Sequence, residues 1–173
     1  MSASIPLSAK TGAGLVVLAV ALLTSEHLVH YAYALMMIGG LAAVARRPRA
    51  LWQEADLRDC SLAFLALWLP MLASLPDAVN PAHATKTAFA YLHFWPAAIA
   101  IVLTLRHAAA RRVVFAGVAA GIAFWLADAV LQFITGRDLF GLPPAGNILT
   151  GAFYPKQRLG VVLAVATPWY CLA

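Results

Sequence analysis

Charge is what this sequence has least of. Only 11% of its 173 residues are Asp, Glu, Lys or Arg, against about 25% in a soluble globular domain. With 63% of the chain apolar, an aqueous surface cannot be assembled, which argues against a cytosolic enzyme, a disordered chain, a collagen and a coiled coil. Cysteine is nearly missing as well. Cys60 and Cys171 are too few and too far apart for a disulfide framework or a metal motif, and both read as free thiols. Acidic residues are outnumbered, seven to twelve. The basic ones, however, sit in short clusters between apolar runs and not along one amphipathic face, a pattern that sets membrane orientation and argues against nucleic acid as a partner. No Walker loop, Rossmann fingerprint, nucleophile elbow or zinc-protease helix occurs, so nucleotide chemistry has no support.

What is present is hydrocarbon, in runs, with a mean hydropathy of +0.82. The expectation is an all-α, polytopic integral membrane protein forming one transmembrane domain over residues 1–173. Spanning the bilayer takes about 20 helical residues, with about 17 as a practical minimum. The stretch from Gly12 to Ala45 is too long for one span and is interrupted at Thr24-Ser25-Glu26-His27, so it reads as two short spans meeting near Glu26. The charged start followed by an apolar run lacks a small-x-small cleavage site and reads as an uncleaved first span. Residues from Trp52 through Arg58 read as a short amphipathic surface piece. A third span is expected from Cys60 to about Leu75, then a loop from Asp77 to Thr87. The fourth span runs from Ala88 to Leu105, and the fifth from Val113 to about Thr135. The sixth apolar run, Gly160 to Ala173, is short for a span. About six helices are therefore expected, and the short last run reads as the first half of a longer protein.

A cytoplasmic N-terminus places eight Lys and Arg inside (Lys10, Arg46, Arg47, Arg49, Arg58, Arg106, Arg111, Arg112) and four outside (Lys86, Arg137, Lys156, Arg158). That bias makes the Gly136–Leu159 loop external and puts both cysteines toward the reducing side. This loop is rich in Gly and Pro and reads as the functional surface.

Asp128 lies well inside the fifth span, and an ionisable group there costs about 2.5–3.5 kcal/mol on insertion scales, so it needs a partner. Gln132 and Gly136 follow at i+4 and i+8, forming a polar stripe that leads to the loop. Two readings stand: a site wall or proton-linked group, or a buried interhelical hydrogen bond that locks the bundle. Glu26, His27 and His30 form a second polar cluster without an identifiable third metal ligand. His83 and His93 read as isolated interfacial histidines. Arg137, Lys156 and Arg158 are cations on the face where positive-inside pressure should remove them. They suit the phosphates of an anionic lipid-linked substrate, or serve as snorkelling anchors.

The stretch Asp128-x3-Gln132-x3-Gly136-Arg137-Asp138-Leu139-Phe140-Gly141, continued by Leu149-Thr150-Gly151-Ala152-Phe153-Tyr154-Pro155-Lys156-Gln157-Arg158-Leu159-Gly160, resembles the O-antigen ligase family. These are membrane glycosyltransferases that move polysaccharide from undecaprenyl pyrophosphate to lipid A core. The likeness covers Ala127 to Ala166, and related polymerases share forms of the motif. It implies the N-terminal half of a GT-C-like enzyme of about twelve spans, in a bacterial inner membrane with its functional loop periplasmic. By the same resemblance Arg158, with Lys156 or Arg137, contacts the donor pyrophosphate. The partners implied are an undecaprenyl pyrophosphate-linked glycan, a lipid A core acceptor and membrane lipids, with no cofactor and no metal. None of the histidines here sits in a matching motif, so the catalytic group is expected beyond residue 173. An O-antigen polymerase and a small non-enzymatic polytopic membrane protein are the alternative readings.

Overall fold

The computed structural model describes residues 7–24, 26–146 and 148–153, together with Gly160, Val161 and Ala164. Among them the chain is helical, without strands; one isolated bridge joins Ala145 and Ile148. α1 (Leu7–Ala21) closes in a 3-10 turn at Leu22–Thr24, and α2 (Glu26–Arg46) follows. The two short helices expected to meet near Glu26 are therefore present. A four-residue α3 (Ala50–Gln53) precedes α4 (Ala55–Ala73), α5 (Pro81–Ala90), α6 (Phe94–Leu105) and the long α7 (Ala108–Thr135). Three stretches are long and apolar enough to cross a bilayer: 19 residues of Leu28–Arg46, 25 of Pro81–Leu105 and 28 of Ala108–Thr135. The protein is a helical membrane protein. Of the sixth expected helix only Gly160, Val161 and Ala164 are described, all three helical, and the rest lies outside the described residues.

Several boundaries differ from the sequence reading, α7 for instance beginning at Ala108 ahead of the expected Val113, and two of them have a local reason. The segment expected to be a loop up to Thr87 becomes α5 at Pro81. Asn80 caps it, its side chain accepting the His83 N–H at 3.1 Å, and proline occupies the first turn, where its missing N–H costs nothing. The expected surface piece ends at Glu54, and α4 already begins at Ala55. Its first-turn Asp56 suits the positive end of the helix dipole and is also met by Arg106 from the end of α6, with Nη2 to Oδ1 at 2.6 Å. Between α5 and α6 the backbone tightens into a 3-10 turn at Tyr91–His93. Pro96 explains this, because its ring clashes with the carbonyl four residues back and it offers no N–H of its own.

The helices pack through small residues. α2 lies along α6, α1 along α7, and α4 rests on α6. A Cβ on Gly40 would strike the Pro96 carbonyl, one on Gly12 would strike the Thr104 hydroxyl, and one on Gly117 would meet the Val17 side chain. Gly117 and Gly121 thus present a small-x3-small face to Val17 and Val20 of α1, as expected where lipid supplies no hydrophobic drive between helices and contact comes from close backbone approach. The buried cluster between these helices is correspondingly fine-grained: Ala9, Ala13, Ala32, Ala97 and Ala110 with Val16, Met36 and Val114. Indole groups tie α4 on. Trp95 Nε1 donates to Ser61 Oγ at 3.1 Å and Trp68 Nε1 to the Ala88 carbonyl at 2.8 Å. Large apolar side chains on the outside, such as Leu67 at 76% exposure and Phe133 and Ile134 at 74%, have hydrocarbon as their solvent.

Candidate functional site

The site grows from one face of α7. Ile122, Trp125, Asp128, Ala129 and Gln132 recur at spacings of three and four and are buried together, apolar first and polar toward the helix end. The helix stops at Gly136, whose φ of 74° is the left-handed conformation that closes a helix cheaply only without a Cβ. The chain then turns back. Asp138 builds the return by accepting the N–H of Phe140 at 3.0 Å and of Leu142 at 2.7 Å on Oδ1, while its own N–H donates to the Leu142 carbonyl at 2.9 Å. This is an aspartate turn of the usual side-chain-to-backbone kind. Gly141, at φ 80°, completes it.

Asp128 and Gln132 bolt this loop to the helix. Asp128 Oδ1 accepts the Leu139 N–H at 2.7 Å. Gln132 Oε1 accepts two N–H groups, from Thr150 at 2.9 Å and Gly151 at 3.0 Å, and its Nε2 donates to the Leu142 carbonyl at 3.4 Å and the Thr150 hydroxyl at 3.5 Å. The side-chain amide is fully used, so it holds backbone and presents nothing to a ligand. Gln132 and Thr150 are 1% and 0% exposed, so these bonds lie away from solvent, where an unmade one is expensive. Below them Phe153 sits edge-on to Trp125, with ring centroids 5.2 Å apart, and closes an apolar plug with Ile122 and Ala129.

Among the described residues each carboxylate leaves one oxygen unengaged. Asp128 Oδ2 and Asp138 Oδ2 are buried and have no hydrogen-bond partner among the described residues. Gly151 borders the first: a Cβ there would stand 3.2 Å from Asp128 Oδ2. Arg137 is exposed on the same loop, its backbone N–H held by Thr135 Oγ1 at 3.2 Å. Next to it Leu139 and Phe140 are 60% and 64% exposed, forming an apolar rim beside a cation.

The structure therefore brings Asp128, Gln132 and Arg137 to one end of the bundle. Lys156 and Arg158 lie outside the described residues. The hydrogen bonds expected of Asp128 and Gln132 run to the loop, and so lock loop to helix where the sequence suggested helix to helix. Thr150, Gly151, Trp125 and Phe153 complete the site. Their placement could not be read from α7 alone, because they matter only once the loop folds back. At the opposite end, Arg106 pairs with Glu54 at 2.5 Å and with Asp56 at 2.6 Å, and hydrogen bonding from the guanidinium holds the Asp56 carboxyl below its ordinary range. His93 donates to the Ala90 carbonyl and lies against Phe94, while His83 and His30 are exposed. Among the described residues no three His, Cys, Asp or Glu side chains form a metal cluster, and Cys60 is a free thiol. Cys171 and the side chains of Glu26 and His27 lie outside what is described. No family model, curated protein or solved structure matches the chain.

Proposed function

We propose that the chain belongs to a bacterial inner-membrane glycosyltransferase of the O-antigen ligase kind. It handles a polyprenyl pyrophosphate-linked glycan at the periplasmic face, where the Gly136–Phe153 loop lies, with lipid A core as acceptor. One observation carries this reading. Among the described residues behind the resemblance, helix and loop are bonded together, since Asp128 reaches Leu139 and Gln132 reaches Thr150 and Gly151 across 11 to 19 positions of sequence. A motif that folds onto itself builds a fixed platform at the membrane surface, and a fixed platform is what a leaving pyrophosphate requires. Pyrophosphate departs readily once its charge is neutralised, so the chemistry asked of this face is cation placement. Arg137 is the described candidate, and Lys156 and Arg158 join it on the sequence evidence.

The test is to delete the encoding gene in its host and run lipopolysaccharide on a gel beside an assay for lipid-linked glycan. Loss of the long ladder with accumulation of polyprenyl-linked polymer supports the ligase. Collapse of the ladder to single-unit material identifies a polymerase, and an unchanged pattern overturns both in favour of a non-enzymatic membrane protein. Restoring the gene with Lys156→Gln and Arg158→Gln lowers transfer by at least about tenfold, about 1.4 kcal/mol of transition-state stabilisation.

A further inference from the structure

At the bundle end remote from the loop, two cavities adjoin. One, of about 300 Å³, is walled by the side chains of Val44, Leu51, Leu57 and Ile99 and carries Arg46, Arg47, Arg106 and Glu54 at its mouth. The other, of about 880 Å³, runs between α1, α2 and α6 past Leu15, Val16, Met36 and Gly39. Ala43, Leu103 and Arg106 line both, so a cationic mouth opens into an apolar slot. Both volumes fall within or near the range of about 300–1,000 Å³ typical of ligand sites.

The charges at the mouth are unbalanced. Arg106 is engaged by Glu54 and Asp56, but Arg46 and Arg47 make no ion pair among the described residues. Both are exposed at the end of α2, which closes a stretch long and apolar enough to cross a bilayer, the place where a spanning helix meets lipid phosphates, and the slot beside them is lined mainly by apolar residues. Free guanidinium groups above an apolar groove match one molecule in both halves: phosphate for the fork, hydrocarbon for the slot. We infer that this end of the bundle is a binding site for an anionic phospholipid, with its phosphate between Arg46 and Arg47 and one acyl chain in the groove between α1, α2 and α6.

The test uses the whole chain in neutral detergent and native mass spectrometry with added phosphatidylglycerol or phosphatidylcholine of identical acyl chains. Phosphatidylglycerol is retained at least about tenfold better, and the Arg46→Gln, Arg47→Gln double variant removes that preference. The double variant breaks no ion pair among the described residues, so melting at the wild-type temperature verifies its fold. Gly39→Leu tests the slot separately. An added Cβ at Gly39 meets nothing within 4 Å, so the substitution starts in open space, and a leucine there that melts at the wild-type temperature lowers retention of both lipids with the arginines intact. Equal retention of the two lipids overturns the proposal, as does an anionic preference that survives the double variant. Inorganic phosphate that displaces the lipid at matching concentration also overturns it, because the acyl slot would then contribute nothing.

Discussion

The two ends of this bundle solve the problem of polar groups in opposite ways. At the end near Arg106, charges meet charges at the surface: the side chains of Arg106, Glu54 and Asp56 keep 35%, 38% and 45% of their exposure. At the loop end, Asp128, Gln132 and Asp138 are no more than 4% exposed, and backbone N–H groups are what they bind. Exposed pairs are screened and contribute little singly. Buried side-chain-to-backbone bonds contribute modestly when made, yet strand desolvated groups when removed. The loop end should therefore be brittle and the charged end forgiving, although the charged end holds the shorter contacts.

The largest effect is expected at Gln132. Gln132→Leu keeps the volume but strands the N–H groups of Thr150 and Gly151, at about 1–3 kcal/mol for each buried donor left unpaired. The return segment then lifts from α7 and Phe153 leaves Trp125. Two measurements check this: a drop in melting temperature in detergent, and new reactivity toward an impermeant thiol reagent of a cysteine introduced at Thr150, where the side chain is fully buried. A Gln132→Leu variant that melts normally and stays unreactive would contradict the brittle assignment.

Asp128 sharpens the comparison at a smaller scale. Among the described residues only Oδ1 is engaged, with Leu139 N–H, so Asp128→Asn retains the acceptor while Asp128→Ala removes it. The alanine variant is expected to lose about 1–3 kcal/mol through the stranded Leu139 donor, and the asparagine variant about 1 kcal/mol or less. If the asparagine variant folds like the wild type yet loses glycan transfer, the Oδ2 beside Gly151 serves the chemistry. If both properties survive, Asp128 is a fastener alone.

Helix identity was legible from the spacing of apolar runs, since bilayer thickness sets a length and intervening polar residues mark the ends. The start of α5 was missed because Asn80-Pro81 reads both as a loop and as a capped first turn, and only the bond from His83 N–H to Asn80 distinguishes them. The importance of Asp128 and Gln132 was legible, as polar residues in an apolar helix announce a partner. The partner was not, because backbone N–H groups have no sequence signature and Leu139, Thr150 and Gly151 contribute theirs. The close helix contacts at Gly12, Gly40 and Gly117 were equally silent: a glycine in an apolar run declares only that room is needed, and not what fills it.

The smallest effect belongs to the charged end. Bonding to Arg106 lowers the Asp56 pKa in the folded protein, so the pair stabilises the fold above the unfolded aspartate value of about 3.9. That contribution is lost as pH falls through the lower folded value. With both side chains more than a third exposed, it amounts to about 1 kcal/mol at most. Stability measured in detergent from pH 7 down to pH 3 should therefore fall less steeply below about pH 4 for Asp56→Asn than for the wild type, while at neutral pH the two differ little and added salt narrows the gap. A neutral-pH loss as large as that of Gln132→Leu would erase the distinction between the two ends, because an exposed pair cannot account for it. The helix α4 would then depend on Arg106 as completely as the loop depends on Gln132.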